Sequence, residues 1–485
     1  MSGVREAGEH DFVAVGLGPF NLGLAALTDP LDDLDGVFLE ARDAFSWHPG
    51  MMLEGATIQV PFLADLVTMA DPTSPWSFLS YLKQHGRLYP FYIRESFYPL
   101  RAEYDAYCRW VSTRLPSIRF GRTVRSITHD GGGYRVEAVL ADGSTEVHRA
   151  PRIVLGVGTQ PSLPWPLDGL GAPVVHSADY LPARDRLRAG ESITVLGSGQ
   201  SAAEIYLDLL EGIREGGYRL DWVTRSPRFF PMEYTKLTLE MTSPEYTSYF
   251  HALPPATRDR LGREQRHLYK GISGDLVDTI FDTLYRLSVD GPVPTRLLTG
   301  AELRGASWDG QRFALDLHHL ETDQPLRTST AGLVAATGYA ARVPAFLIPL
   351  ADRIRWDAQG RLDVGRGYAV DHGQCEIFVQ NAEEHTHGLS APDLGMGAYR
   401  NSVIIAQMLG REVYPIEERI AFQEFGVPAD LAVGDPRPPV PARPPADDPR
   451  PRRALRPDAS APTSHHHAPG SHHNTLSLSN GEDPR

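Results

Sequence analysis

The chain has 485 residues and a formal net charge of −14, and 41% of its residues are hydrophobic, enough for two or three domains with substantial cores. An acidic balance without any basic stripe excludes a nucleic-acid partner gripped by its phosphates. Cys108 and Cys375, the two cysteines, lie too far apart in sequence for a disulfide framework or a Cys-rich metal centre. No N-terminal stretch carries the apolar core of a signal peptide, and no later run approaches the roughly 18 apolar residues of a membrane helix, so a soluble cytoplasmic protein is expected.

The first element runs from Asp11 to Glu40 and reads as strand, glycine turn, helix and second strand. Val13, Ala14 and Val15 form the short apolar run of a parallel strand covered on both faces. Gly16-Leu17-Gly18 turns the chain, and Pro19 opens a helix whose free N–H groups suit a pyrophosphate. Glu40 ends the next strand, where a carboxylate accepts hydrogen bonds from ribose hydroxyls. Asn21 stands where the usual pattern has a third glycine, so a slightly different helix packing is expected. A ligand-free strand-turn-helix is the plain alternative for this segment alone.

From Phe45 to Leu82 the chain is rich in prolines and aromatics and poor in charge. Pro49, Pro61, Pro72 and Pro75 forbid a single helix, yet the apolar content calls for burial. The segment is read as a wrap around a ligand, against the alternative of a buried structural excursion. A helix is expected over Tyr104 to Leu115, and a small β-meander over Arg119 to His148, with turns at Asp130-Gly131-Gly132-Gly133 and Asp142-Gly143. Ile153-Val154-Leu155 then returns to the first sheet.

A second fingerprint follows. Ser192 to Glu204 gives an apolar strand, Gly197-Ser198-Gly199, and a helix from Gln200 and Ser201, with Ala203 small where the third glycine would stand. Its acceptor strand ends in Thr224-Arg225-Ser226 rather than in an acid. A carboxylate there would repel a 2′-phosphate, whereas Arg225, with Ser226 and Arg228, suits one. The first site therefore reads as FAD-binding and the second as NADPH-binding, although an arginine at a strand end is often only a solvated charge.

Residues 229–296 read as helical and unusually aromatic, with most of the aromatics expected in the core. Thr337-Gly338-Tyr339 closes an apolar strand, and Cys375 to Asn381 is strand-like. In the stretch His387-Gly388 to Asp393-Leu394, a helix start and its backbone amides would face the electron-rich end of a flavin ring. Beyond about Val427, prolines, charges and the histidines His465, His466, His467, His472 and His473 replace any hydrophobic periodicity, so a disordered tail with no metal site is expected.

Several motifs in this order carry a family resemblance. Gly16 to Asn21 (GLGPFN), Phe45 to Met51 (FSWHPGM), Asp71 to Pro75 (DPTSP), Gly197 to Ala202 (GSGQSA), Ala336 to Tyr339 (ATGY) and Thr386-His387-Gly388 resemble those of the siderophore-pathway N-hydroxylating flavin monooxygenases, over roughly residues 11–425. The resemblance implies an α/β architecture with two Rossmann-like dinucleotide domains. These are FAD-binding at 9–185 and 341–425 and NADPH-binding at 186–340, with a helical substrate insertion at 229–296 and a tail at 426–485. It implies hydroxylation of a terminal amine with FAD, NADPH and O₂ through a flavin C4a-hydroperoxide. Trp47, His48 and the catalytic Gln59 would lie beside the flavin, and Gln59 would hydrogen-bond the intermediate. A homo-oligomer is expected.

One departure bears on substrate. In the amino-acid hydroxylases the motif after that glutamine reads Phe-Leu-Lys-Asp, and the lysine pairs with the substrate carboxylate; here it reads Phe62-Leu63-Ala64-Asp65. Leu239 occupies a second carboxylate-contacting position. A buried carboxylate without a partner costs several kcal/mol, so a decarboxylated diamine, cadaverine, is favoured over L-lysine or L-ornithine. Lysine is the runner-up because Lys236 could supply a substitute charge. Glu240, Ser273 and Asp275 are candidates for the diamine's far ammonium, with helix capping as the plain alternative. A disulfide reductase needs a neighbouring cysteine pair and a Baeyer–Villiger oxygenase needs FxGxxxHxxxW; neither is present. A non-catalytic NADP sensor would not need Gln59 or the Thr386-His387-Gly388 segment.

Overall fold

The apolar run Phe12–Val15 is buried at all four positions because it is the central strand of a five-stranded parallel sheet. Val13 pairs with Val37 of Gly36–Leu39 on one side and with Ile153 of Ile153–Leu155 on the other. Ile377–Val379 and Ile118–Arg119 form the edges. This computed structural model describes residues 4–433 except 374, 418 and 429.

Two layers cover the sheet. On one face the helices Pro19–Thr28, Arg101–Ser112 and Gly395–Leu409 share a core with Phe12, Phe38 and Phe378. On the other, the expected meander forms from Thr123–His129, Tyr134–Val139 and Thr145–Ala150, and packs Ile127 and Val136 against Val13 and Val37. Its fourth strand, Val4–Glu9, pairs parallel to Thr145–Ala150. Composition hides that strand, since VREAGE is polar and its positions are exposed or half-buried.

The second fingerprint also lies in a five-stranded parallel sheet, in the order Val175–His176, Gly332–Ala335, Ser192–Leu196, Arg219–Val223 and Thr295–Leu298. The helices Gln200–Glu211 and Gly274–Ser288 pack on one face, and an antiparallel sheet of Ala301–Trp308, Phe313–His319 and Gln324–Thr330 packs on the other. The chain passes between the two parallel sheets along a two-stranded ladder of Thr159–Pro161 and Tyr339–Ala341. Thr337 reinforces it by donating from its hydroxyl to Ser162 O at 2.6 Å.

The helical insertion begins at Lys236 rather than at Phe229. Pro231 removes a helix N–H and the chain pairs there with Ile272 as an isolated bridge. Tyr246 and Phe250 are core, as expected for that region, whereas Tyr234 and Tyr269 face a cavity. Among the described residues no helix is long and apolar enough to cross a membrane. The histidines of the expected tail, with all of 434–485, lie outside the described residues.

Candidate active site

Both glycine turns end in a helix with an open N-terminus. Pro19–Thr28 and Gln200–Glu211 begin after Gly18 and Gly199, and neither has a side chain capping its first N–H groups. Those donors and the helix dipole are left for an anion. Gly16 has φ +85° and a Cβ there would lie 2.6 Å from Gly156 O, while a Cβ on Gly18 would meet nothing within 4 Å. The first turn is therefore clamped from behind and open in front, the shape that a pyrophosphate needs. Gly197 repeats the clamp: its φ is +147° and a Cβ would lie 2.2 Å from Ala336 O. Its carbonyl accepts the Trp222 indole N–H at 2.8 Å.

Asn21, at the third-glycine position, is 1% exposed and acts as a tie. Its amide donates to Gly16 O at 2.7 Å and its oxygen accepts from Gln380 Nε2 at 2.7 Å. Close approach is supplied two residues later by Gly23, where a Cβ would lie 2.8 Å from Leu66 O. Glu40 is buried at its strand end, accepting from Leu17 N at 2.8 Å and from Arg42 N and Nε at 2.9 Å each.

In front of the first turn lies a cavity of about 500 Å³. Gly18, Pro19 and Asn21 reach it from the turn, Trp47, His48 and Gln59 from the apolar wrap, and Asp393 and Leu394 from the start of the last helix. Tyr339 and Leu239 complete its contact with the second half. Ile58, Val60 and Leu389 make its wall apolar. His48 adopts φ 47°, with its ring between Trp47 (5.0 Å) and Tyr339 (5.8 Å). The residue keeps an exposed edge, but loss of water around its ring, aided by the charges of Arg101 and Arg42, pulls its pKa down to about 4, so it is neutral near pH 7. Gln59 Nε2 donates to Thr57 O at 3.0 Å.

The charged groups at the wall are unevenly matched. Asp393 is held by the N–H groups of Gly395 and Met396 (Met396 N at 3.2 Å), yet burial raises its pKa. Glu233 also reaches the wall. Lys270 does too, but its ammonium is paired with both oxygens of Glu384 at 2.8 Å, and Tyr269 donates to the same carboxylate at 2.7 Å.

The chain matches the L-lysine 6-monooxygenase/L-ornithine 5-monooxygenase family over residues 8–341. It belongs to that family. It is 47% identical to the putrescine N-hydroxylase of Shewanella oneidensis over 426 residues, 87% of this chain and 85% of that protein. Among solved structures it resembles DfoA bound to FAD, the desferrioxamine-pathway cadaverine monooxygenase of Erwinia amylovora. That match has 50% identity and a TM-score of 0.85, over 87% of this chain and 99% of that one. The Kutzneria ornithine N-hydroxylase, solved with reduced FAD, NADP⁺ and L-ornithine, follows at 29% identity and TM-score 0.76, covering 83% and 99%.

Not every expected residue of this N-monooxygenase chain reaches the cavity. His387 is turned into the core, stacked on Tyr368 at 4.6 Å, bonded to Thr386 Oγ1 at 2.9 Å and kept neutral by burial. Glu240 accepts from Phe422 N and Gln423 N at 3.0 Å each, Ser273 is bonded to Gln200, and Asp275 is exposed at a helix start. Lys236 is exposed outside the cavity. Ala64 is buried behind the wall, 3.6 Å from where a Cβ on Gly395 would be. Gly338 passes its carbonyl to His176 Nε2 at 3.0 Å, and Arg225 and Ser226 stand at the end of Arg219–Val223, with Arg225 exposed.

Sequence reading also missed residues. Gln380 and Asn381 line the cavity just past the carboxyl end of Ile377–Val379, where ligands of parallel sheets gather; the left-handed φ of Asn381, 61°, makes that turn. Arg400 and Glu383, 1% and 0% exposed, form a buried ion pair at 3.0 Å with the guanidinium 4.4 Å over the Phe20 ring, which faces the cavity.

Proposed function

We propose that this chain hydroxylates one terminal amine of a diamine, with cadaverine favoured, using FAD, NADPH and O₂ in hydroxamate siderophore assembly. The observation that carries the reading is the presence of acidic groups at the cavity wall with no side-chain cation left to face them. Among the described residues that line the cavity, Asp393 and Glu233 meet no free ammonium, because Lys270 is consumed by Glu384. A dication meets an acid there, whereas the carboxylate of lysine or ornithine would meet one of its own sign. Ala64 and Leu239 offer no replacement cation, and Lys236 lies outside. The higher identity to a putrescine and a cadaverine enzyme than to an ornithine enzyme supports the same choice.

Residues 9–185 and 341–425 would hold FAD, with its pyrophosphate at Gly16, Gly18 and Pro19 and its ribose toward Glu40. Residues 186–340 would hold NADPH, with Gly197, Gly199 and Ser201 on its pyrophosphate and Arg225 on its 2′-phosphate. When bound, the flavin accepts hydride from the nicotinamide and activates O₂ for transfer to nitrogen. The chain's own residues do the rest. Ile58, Val60 and Leu389 desolvate the reacting amine, which must be neutral; near pH 8 that costs about 3 kcal/mol for an alkylammonium of pKa about 10.4. Gln59 offers an amide donor at the cavity, and Trp47 with the wrap excludes water. Asp393 holds the far ammonium.

The test is an amine panel with hydroxylamine measured as product. Cadaverine is expected to give coupled NADPH oxidation, and L-lysine and L-ornithine far less. A preference for L-lysine overturns the diamine reading; a preference for putrescine overturns only the chain length.

A further inference from the structure

Between the two nucleotide turns runs a chain of hydrogen bonds, buried at its centre and half-buried at its ends, with no part in the chemistry described above. Arg101 opens the helix Arg101–Ser112 and is 8% exposed; Glu204 lies one turn into Gln200–Glu211 and is also 8% exposed. Their side chains meet bidentately, Nη2 to Oε1 at 2.7 Å and Nη1 to Oε2 at 3.0 Å. Toward the cavity, Arg101 holds the segment that carries Gln59. Its backbone N–H donates to Ala56 O at 2.8 Å, and its guanidinium donates to Met51 O at 2.6 Å and reaches Thr57 O at 3.5 Å. Thr57 O is the carbonyl that also accepts from Gln59. Toward the second turn, Glu204 accepts from Gln200 Nε2 at 3.0 Å, and Gln200 Oε1 accepts from Ser273 N at 2.8 Å. Gln200 is the first helical residue after Gly199.

Removing two charges from water is expensive, and apolar residues of similar volume would serve stability at least as well. Stability therefore does not explain the pair, and its placement does. Gln200 is at once the end of the chain and a residue of the turn that would receive the dinucleotide, so an occupant of that turn acts on the same hydrogen bonds that fix Thr57 and Gln59. Hydrogen bonds that share partners in this way polarise one another, most of all at the buried Arg101–Glu204 centre, and are not independent.

We propose that Arg101 and Glu204 are positioning residues that link the nucleotide site to Gln59, so that dinucleotide and amine bind with mutual, non-additive affinity. This rests on the reading of the second turn as a nucleotide site. Linkage is reciprocal, so one affinity ratio measures it.

The experiment uses the full FAD-loaded chain in its oxidised form, with NADP⁺ as probe so that no turnover occurs. The Kd for NADP⁺ is measured by calorimetry with and without saturating cadaverine. The wild-type chain is expected to show a ratio of about fivefold or more. Arg101→Met/Glu204→Met, which removes both charges together, is expected to bring the ratio to one while NADP⁺ and cadaverine each still bind. Gln200→Ala leaves the buried pair in place and tests the link should the double variant fail to fold; it is expected to abolish the ratio as well. A ratio of one in the wild-type chain, or an unchanged ratio in the variants, overturns the proposal and leaves the function standing. Failure of NADP⁺ to bind the wild-type chain overturns both.

Discussion

Gln380 donates from its side-chain amide to Asn21 Oδ1 at 2.7 Å, joining residues 359 positions apart at the back of the first glycine turn. The same Asn21 donates to Gly16 O, so its side chain ties the turn to the end of the last sheet strand. Asn21→Gly would restore the usual third glycine and is nonetheless expected to do harm. It leaves the buried Gln380 amide without this acceptor, at a cost of about 1–3 kcal/mol. A lower melting temperature and weaker FAD retention on dilution are the expected readouts; an unchanged FAD affinity would show that the tie is dispensable.

The proposed 2′-phosphate site makes a discriminating prediction. Arg225 is exposed at the end of Arg219–Val223. A charge-assisted contact to phosphate contributes about 1.5–3 kcal/mol, so Arg225→Ala is expected to raise KM for NADPH by about ten- to a hundredfold. KM for NADH should hardly move. Steady-state kinetics with both nucleotides check this, and equal effects would show that Arg225 does not read the phosphate.

Much of this arrangement was legible in the sequence because it depends on spacing along one strand-turn-helix unit. The two apolar strands, their glycine turns and the contrast between Glu40 and Arg225 all lie within single βαβ units, where local pattern dictates geometry. What could not be read depends on residues brought together from far apart. Lys270 is paired with Glu384, 114 positions away, and nothing near either residue in the sequence signals the pair. Nothing local in the sequence shows that Arg400 and Glu383 are 1% and 0% exposed; they pair with each other, and the Arg400 guanidinium lies over the rings of Phe20 and Tyr368. Glu240 looked available for an ammonium, but the backbone at Phe422 and Gln423 folds back onto its carboxylate.

Asp393 gives the substrate reading its sharpest test. If it holds the far ammonium, Asp393→Asn removes a charge-assisted hydrogen bond of about 1.5–3 kcal/mol and raises KM for cadaverine by about ten- to a hundredfold. The Asn side chain can still accept from the N–H groups at the helix start, so FAD content should be retained. Ala64→Lys is expected to act in the same direction, because a cation introduced on the side chain that borders Gly395 would compete for Asp393. Paired KM and FAD measurements separate this role from a purely structural one, in which FAD content and KM would change together.

His48 predicts how stability depends on pH. Its folded pKa is about 4, lowered first by burial and then by Arg101 and Arg42, against about 6.5 when unfolded. Below pH 6.5 the unfolded chain therefore takes up a proton that the folded chain refuses. The sign follows: stability is greatest above about pH 6.5 and falls as the pH drops toward 4. Solvent reaches this exposed residue and screens part of the effect, so its share of the loss between pH 7 and pH 5 is small. His148 adds to the same limb, since burial also takes it down to about 4. Asparagine tolerates the left-handed backbone that His48 adopts at φ 47°, so His48→Asn should fold. Urea unfolding of the FAD-loaded chain at pH 7 and pH 5 is expected to show a smaller loss in the variant. An equal loss in both would place the acid sensitivity elsewhere.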